Sequence, residues 1–288
     1  QLLVTQTVGD GTVADQTREA ALTAEPAGLV RITDGLVEPV ANGAGVITAR
    51  TRAGETGVIP FEVKGVSSEK PVNFSNSIVP LFTKHGCNSG GCHGKSSGQN
   101  GFKLSLLGFE PQEDYEYLLR EARGRRIFPG APERSLLLLK ASGQLPHGGG
   151  SRIDTGSFDY KTIVKWIRQG MPYGKPDDPS LEAIEVHPPE RIMKPGARQQ
   201  LVVLARMTDG AVEDITHSAV YEANDREYAD ADNTGLVTVG SHSGEIAVMV
   251  RYQDKATVFR ASIPLGAPVD KLPEEKSFVD KFIFAKLK

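Results

Sequence analysis

The 288-residue chain spells one short text twice. Gln1-Leu2-Leu3-Val4-Thr5 is followed by Asp10-Gly11-Thr12-Val13-Ala14-Asp15-Gln16-Thr17. Gln200-Leu201-Val202-Val203-Leu204 is followed, at identical spacing, by Asp209-Gly210-Ala211-Val212-Glu213-Asp214-Ile215-Thr216. Gly35-Leu36-Val37 returns as Gly235-Leu236-Val237, and Gly45-Val46-Ile47-Thr48-Ala49 aligns with Gly244-Glu245-Ile246-Ala247-Val248, a drift of one residue. Such an internal repeat means one structural unit used twice. Each copy alternates apolar and polar residues with period two between Asp-Gly or Gly-rich turns, which predicts short strands in a small β-sandwich. Before the second copy stand a strand at Ile184-Glu185-Val186 and a turn at Lys194-Pro195-Gly196. The first copy has no counterpart of them, so its sandwich is expected to lack an edge strand. Asp10, Asp15, Asp209 and Asp214 supply two carboxylates per copy, few for a calcium site, and are read as turn and cap residues.

The interruption between the copies holds both cysteines, in Cys87-Asn88-Ser89-Gly90-Gly91-Cys92-His93. Two thiols with a histidine directly after the second follow the grammar of covalent haem attachment, in which the thiols add to the vinyl groups and the imidazole becomes an axial ligand. The spacer is four residues rather than two, and Gly90-Gly91 gives the longer turn the backbone freedom it needs. A disulfide-closed loop and a zinc site completed by His85 compete with this reading, and neither accounts for the position of His93. The expected cofactor is one haem c, bound through Cys87 and Cys92 with His93 on the iron. His147, in Leu145-Pro146-His147-Gly148-Gly149-Gly150, is the first choice for the sixth ligand. Met171 is the alternative, and an open or water-filled position the third. His85 is read as facing solvent or a propionate. Arg123, Arg125, Arg126 and Arg152 are candidates for pairing with propionates.

Around the motif, a helix is expected from Asn73 through Phe82 to Gly86, limited by Pro80. Phe102, Leu104 and Leu106 alternate against Lys103 and Ser105 and predict a strand. Tyr115, Leu118, Leu119 and Ala122 mark a helix opening at Pro111, and Pro132 opens another carrying Leu136 to Leu139. Tyr160, Ile163, Val164 and Ile167 share one face of a helix over 157–169, capped by Ser157 and stopped by Gly170.

Charge is uneven. Residues 66–180 hold 15 Lys+Arg against 11 Asp+Glu, a net +4, and the rest of the chain holds 18 against 25, a net -7. No run is basic enough for nucleic acid. No apolar stretch reaches the length of a membrane span. The start at Gln1, without methionine and inside a strand pattern, is read as a trimmed or processed end. An extracytoplasmic location, periplasm or cell surface, follows from the haem reading alone.

Both copies resemble bacterial immunoglobulin-like domains of group 2, and the helix before Cys87 and the helix over 157–169 resemble the terminal helices of class I cytochromes. Gly86-Cys87-Asn88, Cys92-His93-Gly94, Gly101-Phe102-Lys103-Leu104-Ser105-Leu106, Gly124-Arg125-Arg126, Pro132-Glu133-Arg134-Ser135-Leu136 and Pro146-His147-Gly148-Gly149-Gly150 together resemble exported planctomycete proteins that carry a cytochrome c-like domain between such Ig-like domains. The resemblance implies a mixed, multidomain fold: two Ig-like β-sandwiches flanking a mainly α cytochrome c-like domain. Its units are 1–65, a sandwich; 66–180, the haem domain; 181–266, a second sandwich; and 267–288, a linker and the start of a further domain. The function it implies is a monohaem electron-transfer module rather than a catalyst, with a redox partner protein or downstream domains of the same full-length chain as partner. The competing functions are a haem enzyme or gas-binding site with an exchangeable ligand, and a cell-surface structural or adhesion protein with a structural haem.

Overall fold

The computed structural model describes residues 1–9, 11–68, 71–267 and 272–287; Asp10 and the linker residues Glu69 and Lys70 lie outside the described residues. The first copy folds as β1 (Thr5–Thr7), β2 (Val13–Asp15), β3 (Ala21–Glu25), β4 (Val30–Thr33), β5 (Leu36–Pro39), β6 (Gly43–Arg50) and β7 (Thr56–Val63). β1 pairs with β2, β4 with β5, and β6 lies between β3 and β7, all antiparallel. The second copy is preceded by β8 (Leu181–His187), β9 (Glu190–Ile192) and β10 (Arg198–Gln200). It continues as β11 (Val202–Met207), β12 (Val212–Asp214), β13 (Val220–Ala223), β14 (Ala229–Ala231), β15 (Leu236–Val239), β16 (Gly244–Tyr252) and β17 (Lys255–Ile263).

The repeat is therefore a repeat of pairing. β11–β12, β14–β15 and β13–β16–β17 reproduce the ladders of the first copy strand for strand. The hairpin ladders align Gly43 with Gly244, because Gly43 pairs with Val63 and Gly244 with Ile263. Gly43, not Gly45, is thus the structural counterpart of Gly244. What the second copy adds is three strands: β8 beside β11, β10 beside β15, and β9 parallel to β17. Its core comprises nineteen buried residues, among them Val203, Val237, Val248 and Phe259. In the first copy Ile47 is the one hydrophobic side chain fully buried among the described residues. The aspartates cap turns: Asp15 accepts from the Thr17 amide, Asp214 from the Thr216 amide and Asp209 from the Ala211 amide.

The central segment overturns the expectation of a mainly α cytochrome c-like domain. Its α-helices are α1 (Val79–Lys84), α2 (Pro111–Leu119), α3 (Leu136–Ala141) and α4 (Phe158–Arg168), of 6, 9, 6 and 11 residues. With α5 (Phe278–Leu287) these make five short helices against seventeen strands, so the described chain is mostly β. The helical periodicities are real, and Ser157 caps α4 by accepting from the Tyr160 amide. The helices stay short because Pro and Gly interrupt them. A wide π-helical turn at Phe74–Ile78 precedes α1, Pro80 sits in the first turn of α1, and a single-turn helix over Pro132–Arg134 precedes α3. The expected strand over Phe102–Leu106 is also absent: Phe102 makes one isolated bridge to Gln99, and Leu106–Gly108 is a helical turn.

These pieces still bury a common core of seventeen residues, with Phe74, Trp166, Leu118 and Leu138 fully enclosed. Trp166 donates its indole N–H to the Pro172 carbonyl, which satisfies the polar atom of a buried ring. The segment seats on the second copy through the Tyr252 hydroxyl, which donates to the Asn76 carbonyl, and through Lys84, which donates to the His217 carbonyl. Among the described residues no helix is long and apolar enough to cross a membrane.

Candidate functional site

The loop after α1 is held by its own backbone. Cys87 donates its amide to Phe82, Cys92 to Ser89, and His93 to Cys87, which closes the loop into a ring. Asn88 is buried inside, its side chain donating to the Thr83 hydroxyl and its carbonyl accepting from Leu107. Gly94 completes the turn where nothing larger fits: a Cβ there would lie 2.0 Å from the Asn88 carbonyl oxygen.

A cleft of about 350 Å³ opens beside this loop and is lined by Cys87, Cys92, His93, Arg125, Arg126, His147 and Arg152, with Phe82, Phe102 and Leu104 forming apolar wall. That volume lies in the range of small-ligand sites. The sequence-selected residues, more than fifty positions apart at the extremes, thus converge on one cavity. Met171 does not line it: its side chain packs against the central core and its carbonyl accepts from the Tyr115 hydroxyl. Arg123 is also outside the lining. His85 is not solvent-facing. It is largely covered and lies 2.7 Å from Asp159, beside Lys84 at 2.8 Å from the same carboxylate oxygen. Burial alone would raise the Asp159 pKa, but the bonds and charges of His85 and Lys84 outweigh it and hold the carboxyl below its ordinary value.

The two histidines of the cleft face each other. Their rings are 8° from parallel with centres 6.3 Å apart. The His93 Nδ1 lies 3.0 Å from the Phe102 carbonyl and the His147 Nδ1 2.8 Å from the Gly150 carbonyl. A carbonyl only accepts, so both Nδ1 atoms carry the proton, and in the neutral tautomer this selects the lone pair is on Nε2. Burial pulls the His93 pKa down against the opposing bond to the Phe102 carbonyl, with smaller help from the neighbouring His147, Arg126 and Lys140, and favours the neutral ring. His147 rests over Gly149, where a Cβ would meet the ring at 3.0 Å. Lys140 steadies the loop by donating to the Pro146 carbonyl.

Both cysteines are free thiols, and burial pushes the Cys87 thiol up to about 11. Arg152 reaches to 4.0 Å from the Cys92 sulfur. Arg126 differs from the other arginines. It is buried, stacks 4.5 Å over the Phe102 ring, and donates to the carbonyls of Tyr117, Glu121 and Gly101. Three of its five N–H donors are thus committed to backbone. Phe102, read from the sequence only as a strand residue, and Lys140, not singled out at all, line the same cleft as the two histidines.

The reading of the chain as a metal-binding cytochrome c for electron transfer is corrected. Among the described residues no group of three or more His, Cys, Asp or Glu is placed to hold a metal ion, and the family whose sequence model matches is of another kind. That family is the bacterial Ig-like domain (group 2), matched by residues 180–259. No curated protein matches the chain. Solved structures similar to it include domains 5–6 of the S-layer protein SbsC, at 18% identity, covering 32% of this chain and 47% of that one, with a TM-score of 0.27. A longer structure of the same S-layer protein, rSbsC(31-844), is 12% identical over 91% of this chain and 24% of that one, again with a TM-score of 0.27. The chain therefore spans less than half the length of these two structures. Of the two sandwich copies and the segment between them, residues 180–259 are the part that carries a bacterial Ig-like domain of group 2.

Proposed function

We propose that this chain is a structural module of an extracytoplasmic, cell-surface protein, and that the cleft beside the Cys87–His93 loop holds one haem as a covalent staple. The Ig-like domain at 180–259 supports the surface role. The observation that carries the haem reading is the pair of near-parallel imidazoles 6.3 Å apart, each with its lone pair on Nε2. A metal–imidazole bond is about 2 Å, so rings at that separation would leave room for one metal ion between them. Cys87 and Cys92 border the same cleft and would attach the group; His93 and His147 would hold its iron.

When bound, the haem supplies an iron and a flat apolar surface. The chain does the rest. Phe82, Phe102 and Leu104 form the apolar wall of the cleft, Arg125 and Arg152 would offer cationic partners to the propionates, and the two backbone carbonyls orient the imidazoles. Held by Cys87, Cys92, His93 and His147, such a group would tie the 87–94 loop to the 145–152 loop at the cleft they share.

The test is export of the chain from a host that attaches haem covalently, followed by a pyridine haemochrome assay and spectra of a His147→Ala variant. A covalent haem with a low-spin spectrum that turns high-spin in the variant is expected. No covalent haem in the exported wild type overturns the reading and leaves a haem-free structural module.

A further inference from the structure

The cleft presents Arg126 as one more cation, yet its surroundings give it different work. Its side chain is 5% exposed and its donors meet three carbonyls from three directions: Tyr117 at the end of α2, Glu121 in the following turn, and Gly101 in the loop that carries Phe102. The flat face of the guanidinium lies on the Phe102 ring at 4.5 Å. The other side of that residue meets His93, with ring centres 4.6 Å apart and the Phe102 carbonyl on Nδ1. The amide of Leu104 donates to the His93 carbonyl, so the 101–104 stretch and the histidine hold each other at two points.

We infer that Arg126 is a positioning residue: by clamping Gly101 and Phe102 it aims the Phe102 carbonyl at His93 and so fixes that histidine in the Nδ1–H tautomer, with Nε2 as its unprotonated nitrogen. An arginine is needed because the task is planar and many-handed. A lysine supplies charge and three donors but no flat face for the ring and no fork for diverging carbonyls. The stretch has no ladder: the bridge to Gln99, whose amide donates to the Phe102 carbonyl at 2.8 Å, holds one side of it, and Arg126 adds the hold from Gly101 and from the face of the Phe102 ring. This inference rests on the cleft being a ligand site for its purpose, but not for its test.

The test reads ring-nitrogen NMR shifts of His93 and His147 in the full chain without haem. In the wild type His93 is expected as one tautomer, protonated at Nδ1. Arg126→Ala is expected to shift His93 to a mixture of tautomers while His147, held by Gly150, keeps its shifts, and Arg126→Lys is expected to restore the wild-type pattern only in part. Should Arg126→Ala lose its cooperative melt, Phe102→Leu, which keeps the three carbonyl bonds and removes the stack, is read in the same way. A folded variant of either kind with His93 shifts unchanged overturns the inference. Failure of haem to attach, with the tautomer shift present, overturns the haem reading and leaves this one standing.

Discussion

Ile59 and Phe259 stand at the same place in the two sandwich copies. Ile59 pairs with Ile47 across β6–β7, and Phe259 pairs with Val248 across β16–β17. Phe259 is 0% exposed and Ile59 is 51% exposed. The strands are equivalent; the cover is not. In the second copy β8 and the segment around β9 bring Leu181, Ile184, Val186 and Met193 into the core, and among the described residues nothing takes that place over β7. The difference teaches that the period-two pattern builds the ladders by itself, whereas burial, and the stabilisation of about 25 cal/mol per Å² of apolar surface that comes with it, waits for a further layer.

The sharpest way to break this comparison is to truncate the two matched side chains. Phe259→Ala is expected to cost about 3–5 kcal/mol, as for other large side chains deleted from a core, and Ile59→Ala to stay within about 0.5 kcal/mol. Urea unfolding followed separately for each copy, by hydrogen exchange of the β7 and β17 amides, measures both. Equal costs would mean that the first copy is covered in solution.

A second, smaller effect asks whether the junction belongs to the second copy only. Asp159, buried beside Lys84 and His85, sits where Lys84 also reaches the His217 carbonyl. Asp159→Asn leaves the lysine charge without its partner and is expected to cost about 3 kcal/mol at neutral pH, with the β7 amides of the first copy unaffected. The carboxyl titrates below its ordinary value, so its contribution is complete above the unfolded pKa of about 3.9 and fades as pH falls through the lowered folded value. Wild type and variant should therefore converge in acid; a gap that persists there would assign the cost to shape rather than charge.

The smallest effect tests what the copies share. The Thr17 hydroxyl accepts from the Val4 amide and donates to Asp15, and the Thr216 hydroxyl accepts from the Val203 amide, each at 2.9 Å to the amide. Both threonines are buried. Thr17→Val and Thr216→Val each strand one amide and are expected to cost about 1–3 kcal/mol, by the same amount in the two copies. A loss confined to the second copy would show that the first has no cooperative structure of its own.

The contrast extends to what was legible in the text. The repeat, the Asp-x-Thr caps and the opening strand before the second copy were readable because each depends on residues near one another in sequence. The alternation of Leu104 and Leu106 was misread for an instructive reason. Leu104 is 1% exposed and Leu106 is 53% exposed, so the two do face opposite ways; alternation reports sidedness, and pairing needs a neighbour that this stretch lacks. The mainly α expectation failed similarly, because helical faces such as Tyr160, Ile163, Val164 and Ile167 say where a helix packs and not how much of the segment around it is helix. His85 was misplaced because its partner Asp159 is 74 residues away.

By itself the sequence determined the two sets of strands, their turns and the short spacing of Cys87, Cys92 and His93, all of which follow from local sterics and hydrogen bonding. Tertiary structure alone decided which copy acquires a core, that His147 stands parallel to His93, that Met171 faces away from the cleft, and that Arg126 serves backbone carbonyls. Those outcomes turn on which distant groups arrive within bonding distance, and no local preference encodes that.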